Sequence, residues 1–206
     1  MLEIVNNFIN GEFVEPHNKK YLDIYEPATG SVYGKVADSS SHDIKRAVES
    51  AKNAFSYWSG LYMVERGEYL KKIAVEIKNR SNILAKYESR DTGKPITLAS
   101  KVDIPRAIEN FNFFANFSEN FSFESSIESE VSINSVSKQA LGVVGCISPW
   151  NLPLYLFTWK IAPALIIGNT VLAKPSEITP LTASKLAEIC SDIGLPKGVL
   201  NIVNGT

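Results

Sequence analysis

The stretch that most restricts the fold is Leu141 to Pro180, LGVVGCISPWNLPLYLFTWKIAPALIIGNTVLAKPSEITP. Leu141 to Ile147 is a run of apolar and small residues with the length of a buried strand. A turn follows in which Pro149 and Pro153 bracket Trp150-Asn151, and then a long apolar segment from Leu154 to Ile167 that Gly168-Asn169 ends. Thr170 to Ala173 is a second apolar strand, and it delivers Lys174-Pro175-Ser176-Glu177. Strands joined by a helical crossover run parallel. The polar residues of both loops therefore collect at the C-terminal ends of the strands, where open α/β sheets bind their ligands.

The rest of the chain fits around that block. Asn10-Gly11 between Phe8-Ile9 and Phe13-Val14 is a hairpin signal. A second ribbon spans Tyr21 to Tyr25 and Ser31 to Ala37, with Pro27 to Gly30 as its turn. Ser40 or Ser41 is placed to cap a helix with Asp43 in its first turn. Ile44, Ala47, Val48, Ala51 and Phe55 then mark its inward side. A third helical segment runs from about Val64 to Ser89 and is broken by Asp91-Thr92-Gly93-Lys94-Pro95; a fourth runs from near Thr97 to Phe117, kinked or offset at Pro105. Ser118 to Ser129 reads as a polar connector, and Glu130 to Gln139 as a strand with one wet face. Thr179 to Ile193 is an amphipathic helix stopped by Gly194, and Gly198 to Val203 is a third sheet strand. The expected class is α/β: an incomplete parallel Rossmann-like sheet with N-terminal helices and hairpins and a β arm. The expected divisions are 1–121, 122–145 and 146–206. The far side of the third strand is expected to be left open, and exposed apolar edges aggregate.

Bulk properties narrow the function classes. A net charge of −1 points to no nucleic-acid or anionic-membrane partner. The longest apolar stretch contains Lys160 and two prolines, and is shorter than the ~20 residues a membrane helix needs. No secretory signal is visible at MLEIVNNFING. Cys146 and Cys190 lie in apolar runs without CxxC spacing, which fits buried thiols in a reducing cytoplasm. Cys146 has no neighbouring His, so it reads as an inert thiol. His17 and His42 match no metal or triad spacing, and no metal site is expected; Asp91 reads first as a loop-capping residue.

Three groups of residues are candidates for chemistry. Asn151, at a strand-to-helix turn between two prolines, is either a preorganised amide donor to an oxyanion or the cap of the helix that starts at Pro153. The bare sequence favours the cap. Lys174 and Glu177, just past a strand, can hold ribose hydroxyls of a dinucleotide; otherwise they form a solvated ion pair worth little. Leu152, Tyr155, Leu156 and Trp159 recur at helical spacing and read first as core packing.

The words SPWNLP, TWKIAPAL, GNTVLAKPSEITPLTA and GLPKGVLNIVNG, in this order, resemble the aldehyde dehydrogenase superfamily from about Asn7 onward. The wording IPRAIENFNFFA with ISPWNLPLYLFTWKIAPA is most similar to its 2-aminomuconic and hydroxymuconic semialdehyde dehydrogenase branch. The resemblance implies NAD-dependent oxidation of a small-molecule aldehyde to a carboxylate. It also implies homo-oligomerisation through the β arm. It makes Asn151 an oxyanion stabiliser, Ile147, Ser148, Pro149, Trp150, Lys174, Ser176 and Glu177 the cofactor contacts, and Leu152, Tyr155, Leu156 and Trp159 the wall of a substrate tunnel. Some relatives use the residue at Asp91 in a monovalent-cation site. The family's glycine-rich turn would open at about Gly205, and its cysteine nucleophile and general-base glutamate would fall beyond Thr206. The expectation is thus an N-terminal part without turnover of its own. The alternatives are a non-catalytic binding or oligomerisation module that pairs with a full-length relative, and a related enzyme acting on an acyl phosphate or acyl-CoA.

Overall fold

The computed structural model describes residues 2–118, 121, 122 and 124–206. Its strands are β1 (Glu3–Val5), β2 (Asn7–Ile9), β3 (Glu12–Val14), β4 (Tyr21–Glu26), β5 (Ser31–Ala37), β6 (Glu124–Glu128), β7 (Ile133–Ser137), β8 (Val143–Ile147), β9 (Thr170–Lys174) and β10 (Leu200–Ile202). Its helices are α1 (Ser41–Gly60), α2 (Met63–Asn79), α3 (Ser81–Thr92), α4 (Ile96–Leu98), α5 (Ile104–Phe117), α6 (Pro153–Ile166) and α7 (Leu181–Asp192). A π-helical turn, Ala99–Asp103, joins α4 to α5.

The organising sheet has the order β3-β2-β10-β9-β8. β8, β9 and β10 are parallel, joined by the crossovers α6 and α7, and β2 adds antiparallel to β10. Side chains alternate across a strand, and the two faces are separated accordingly. Val171 and Ala173 of β9 lie in the main core with Leu154, Ile161, Leu165 and Leu186, whereas Leu172 packs with Ala47 of α1 and Val203. α6 and α7 thus cover one face and α1 the other. The approach of α1 is close: a Cβ on Gly198 (φ +83) would come within 2.6 Å of the Ser50 carbonyl oxygen. A second sheet, β1-β5-β4, pairs β1 and β5 in parallel and carries a small core of Val5, Ile24, Tyr33 and Val36.

Local chemistry explains most boundaries. Asn10 (φ 56) and Gly11 (φ 77) both take the positive φ that a tight hairpin demands, and this turn joins β2 to β3. The Ser40 N–H donates to the Asp43 carboxylate (2.8 Å) at the start of α1. Gly93 (φ 72) ends α3 in the left-handed conformation.

Several expectations need correction. Of the inward side expected for α1, Ala47 and Ala51 are buried, but Ile44 is 47% exposed. The third helical segment is two helices, separated at Arg80 (ψ 11), whose guanidinium is held by Glu76 and Asp192. The fourth is offset by the π turn. Pro105 sits in the first turn of α5, where its missing N–H costs little. The serine-rich connector contains β6, which pairs with β7, and every residue of both strands is exposed. The 141–147 run is not a buried strand. β8 is an edge strand, with Leu141 89% and Ile147 71% exposed. The open edge is accordingly at β8, while the outer side of β10 is occupied by β2.

Candidate active site

The three parallel strands end side by side, and three loops leave their C-terminal ends. The first loop runs from Ile147 into α6. The Ser148 N–H continues the ladder by donating to the Lys174 carbonyl (3.1 Å), and Ser148 is buried. Pro149, Trp150 and Asn151 are exposed, with Trp150 58% accessible. Pro153 opens α6 at the position where a missing N–H is tolerated. Its N-cap is Leu152 (φ −139, ψ 69), which makes no side-chain cap hydrogen bond, so Asn151 is not the helix cap that the bare sequence favoured.

The second loop leaves β9. The Lys174 ammonium lies 3.2 Å from the Glu177 carboxylate, and both side chains are about one-third exposed. Burial pushes the Glu177 carboxyl upward. Hydrogen bonds from its own backbone N–H and from Lys174, with the Lys174 charge, outweigh that and hold it below the usual carboxylate range. Ser176 is buried and turns the loop, its carbonyl accepting from the Thr179 N–H (3.3 Å) and its hydroxyl from the Ile178 N–H (3.4 Å). The Thr179 hydroxyl donates to the Trp150 carbonyl (3.4 Å), tying the second loop to the first.

The third loop, Asn204-Gly205-Thr206, completes a cleft of about 250 Å³ with Ile44, Gly145, Ile147, Leu172, Lys174 and Val203. Its walls are apolar, with one cation at the rim. Of the expected cofactor contacts Ile147 and Lys174 line this cleft, whereas Ser148, Pro149, Trp150, Ser176 and Glu177 do not, nor does Asn151.

On α6 the inward stripe is Leu154, Phe157, Ile161, Ala162 and Leu165, all buried. Leu152, Tyr155 and Leu156 are half-buried and Trp159 is 51% exposed. The Tyr155 and Trp159 rings meet edge to face at 5.5 Å. These four are therefore not core residues; they form an accessible, partly aromatic strip that leads away from Asn151. The two thiols are buried, and burial pushes both up, Cys190 to about 12, so neither is poised as a nucleophile. Asp91 lies inside α3 and is buried; it accepts from the Leu181 N–H (2.8 Å) and from the Tyr33 hydroxyl. It holds the start of α7 rather than a loop, and among the described residues no cluster of three or more His, Cys, Asp or Glu stands ready for a metal.

Three charged residues beneath the Asn151 turn escaped the sequence reading. Glu88 (α3), Lys94 and Asp103 (π turn) are buried or nearly so, and Lys94 touches the Asn151 carbonyl (3.3 Å). The available signal was Glu88 four residues past Leu84, on the buried side of its helix.

A mixed α/β unit whose parallel strands end around an apolar cleft with a lysine beside it has the layout of a ligand-binding α/β domain, with the ligand site at the carboxyl ends of the strands. The aldehyde dehydrogenase family model matches residues 13–206, and the chain belongs to that family. It is 45% identical over 204 residues to the zebrafish (Danio rerio) 2-aminomuconic semialdehyde dehydrogenase, covering 98% of this chain and 42% of that protein. It is 40% identical to the 2-hydroxymuconic semialdehyde dehydrogenase of Pseudomonas sp. strain CF600, with 98% and 42% covered. Among solved structures, aldehyde dehydrogenase C from Pseudomonas syringae, in complex with NAD+ and octanal, superposes with a TM-score of 0.93 at 35% identity, covering 98% of this chain and 41% of that one. The chain thus spans about two-fifths of the length of the relatives it matches.

Proposed function

We propose that this chain is the first cofactor-binding part of an NAD-dependent dehydrogenase that oxidises an aldehyde, of the semialdehyde type, to a carboxylate. The observation that carries the reading is the cleft at the strand ends, where Ile147, Leu172 and Val203 offer apolar walls and Lys174 a cation. That lining fits the apolar face and the ribose hydroxyls of a nucleoside. Lys174 and Ser176 donate to such hydroxyls, and Glu177 accepts from them. A carboxylate beside a ribose also repels a 2′-phosphate, which favours NAD over NADP. Bound NAD supplies the hydride acceptor. Ile147 lines the cleft, and Ser148, Pro149 and Trp150, in the loop that follows it, complete the cofactor contacts in this reading, partly through backbone groups.

Asn151 donates from its side-chain amide to the oxygen that gains charge when a nucleophile adds to the aldehyde. Leu152, Tyr155, Leu156 and Trp159 guide the aldehyde toward it along the exposed strip of α6. The nucleophile and the general base come from residues outside these 206, so the chain alone has no turnover. The complete protein is a homo-oligomer that uses the arm at 122–145 and acts in the cytoplasm, without nucleic-acid or membrane partners. In the complete enzyme, Asn151→Ala is expected to lower kcat by about 10²–10³ with little change in NAD affinity. Equal losses in both would refute the assignment.

The fully exposed β6–β7 hairpin favours a second reading, a module that pairs with a full-length relative. Co-purification of this chain with such a relative, lost on deletion of the hairpin, is the outcome that would select it.

A further inference from the structure

The turn that carries Asn151 is held from below by charges that the proposed chemistry does not use. Lys94 follows the left-handed stop of α3. Its ammonium lies 2.5 Å from Asp103 Oδ2 and 3.3 Å from the Asn151 carbonyl oxygen. The Lys94 side chain is 11% exposed and that of Asp103 is 1%. Asp103 Oδ1 is buried without a hydrogen-bond partner among the described residues. One turn further on, the Glu88 carboxylate accepts from the Leu154 N–H (3.3 Å) and from the Thr182 hydroxyl (2.8 Å). Polar groups thus grip the turn at the Trp150 carbonyl, the Asn151 carbonyl and the Leu154 N–H.

A buried ion pair with one oxygen unsatisfied is a poor stabilising device, because desolvating both charges offsets their attraction. Its geometric product is specific. The carbonyl of Asn151 is held by a charge-assisted donor, which restrains the peptide plane after Asn151 and with it the point from which the side chain leaves the backbone. The donor is in turn fixed by Asp103, which the π turn places on the buried side. We infer that Lys94, pinned by Asp103, is a positioning residue that aims the Asn151 amide. This rests on the oxyanion role proposed above for Asn151.

The test has a kinetic arm in a full-length family enzyme that carries Lys94, Asp103 and Asn151 in this arrangement. Lys94→Met is expected to lower kcat roughly tenfold or more, with the KM for NAD and aldehyde within about twofold. Lys94→Arg, which keeps a cationic donor, recovers part of the loss. The double variant Lys94→Met/Asn151→Ala is no slower than Asn151→Ala alone, because the two act through one group. Unchanged turnover in Lys94→Met, or multiplicative losses in the double variant, overturns the inference while leaving Asn151 in its role. Unchanged turnover in Asn151→Ala removes the oxyanion reading and the inference with it. Amide hydrogen exchange on the 206-residue chain decides the point without activity. Lys94→Gln should speed exchange at Leu154, whose N–H is held by Glu88, while α1 stays protected. An unchanged turn, or a loss of protection throughout, refutes a positioning role.

Discussion

Arg66 shows how one side chain can close two helices. It stands in α2, is 3% exposed and has no carboxylate partner among the described residues. Its Nε donates to the Ile166 carbonyl at the end of α6 (2.8 Å), and its Nη1 serves Trp58 (3.3 Å), Ser59 (3.4 Å) and Leu61 at the end of α1. The last carbonyls of a helix lack internal partners, and a cation there is favoured by the helix dipole as well. Burial pulls the guanidinium below its ordinary range and the Glu65 charge opposes this, while the carbonyls satisfy its donors. Gly168 (φ +97) leaves room for it, since a Cβ there would lie 3.3 Å from Arg66 Cζ. Arg66→Leu is expected to destabilise the chain by about 2–4 kcal/mol, because the carbonyls it orphans stay buried. Arg66→Lys should recover little, since a point cation cannot span the fork. Thermal melts of the three proteins check this, and equal midpoints would remove Arg66 from the account. No sequence pattern announced this role, because an arginine in a helix is ordinarily a surface residue.

At the level of elements, α3 supplies carboxylate acceptors to its neighbours. Glu88 meets the first turn of α6, and Asp91 the first turn of α7. Burial pushes Glu88 to about 7 and Asp91 to about 8, from 4.5 and 3.8 in the open chain. Between those limits the unfolded chain binds fewer protons than the folded one, so stability falls as pH rises. The two acids therefore make the chain more stable at about pH 5 than at pH 8, opposite to an ordinary paired carboxylate. Glu88→Gln should flatten that slope in denaturant titrations at the two pH values; an unchanged slope would show that Glu88 does not titrate in this window. The sequence exposed the elements unevenly. The β2–β3 turn and the crossovers α6 and α7 were legible because glycine, asparagine and proline sit where the backbone needs them. The break at Arg80 was not, because it carries no breaker and is set by packing; the offset of the fourth segment was legible at Pro105, but its π form was not. β6 was hidden because a fully solvated strand has no apolar alternation to betray it.

On the scale of the molecule, the sheet has two unlike borders. β3 ends one side as a short strand with Glu12 exposed, a common way to blunt an edge. β8 ends the other with Val143 and Val144 half-covered. On the α1 side a groove of about 520 Å³ is lined by Val48, Phe55, Val143 and Leu172. The isolated chain is expected to self-associate with rising concentration, and Val143→Lys to suppress this, as light scattering would register. A monodisperse wild-type chain at high concentration would contradict the expectation. Of the candidate site, the loops and their place at the strand ends could be read from the sequence, because strand polarity alone fixes them. The grip of Lys94 on Asn151 could not, because it joins residues 57 apart along the chain.

The β2–β10 pairing carries a consequence for biosynthesis. Phe8 lies opposite Ile202, and the Asn7 side chain accepts from the Asn204 N–H at 2.9 Å. The β2–β3 hairpin thus waits for nearly two hundred more residues to be made before its β10 neighbour exists. Until then its outer face is bare, and a nascent chain arrested at any codon before the tenth strand holds an unmated ribbon that quality-control machinery can seize.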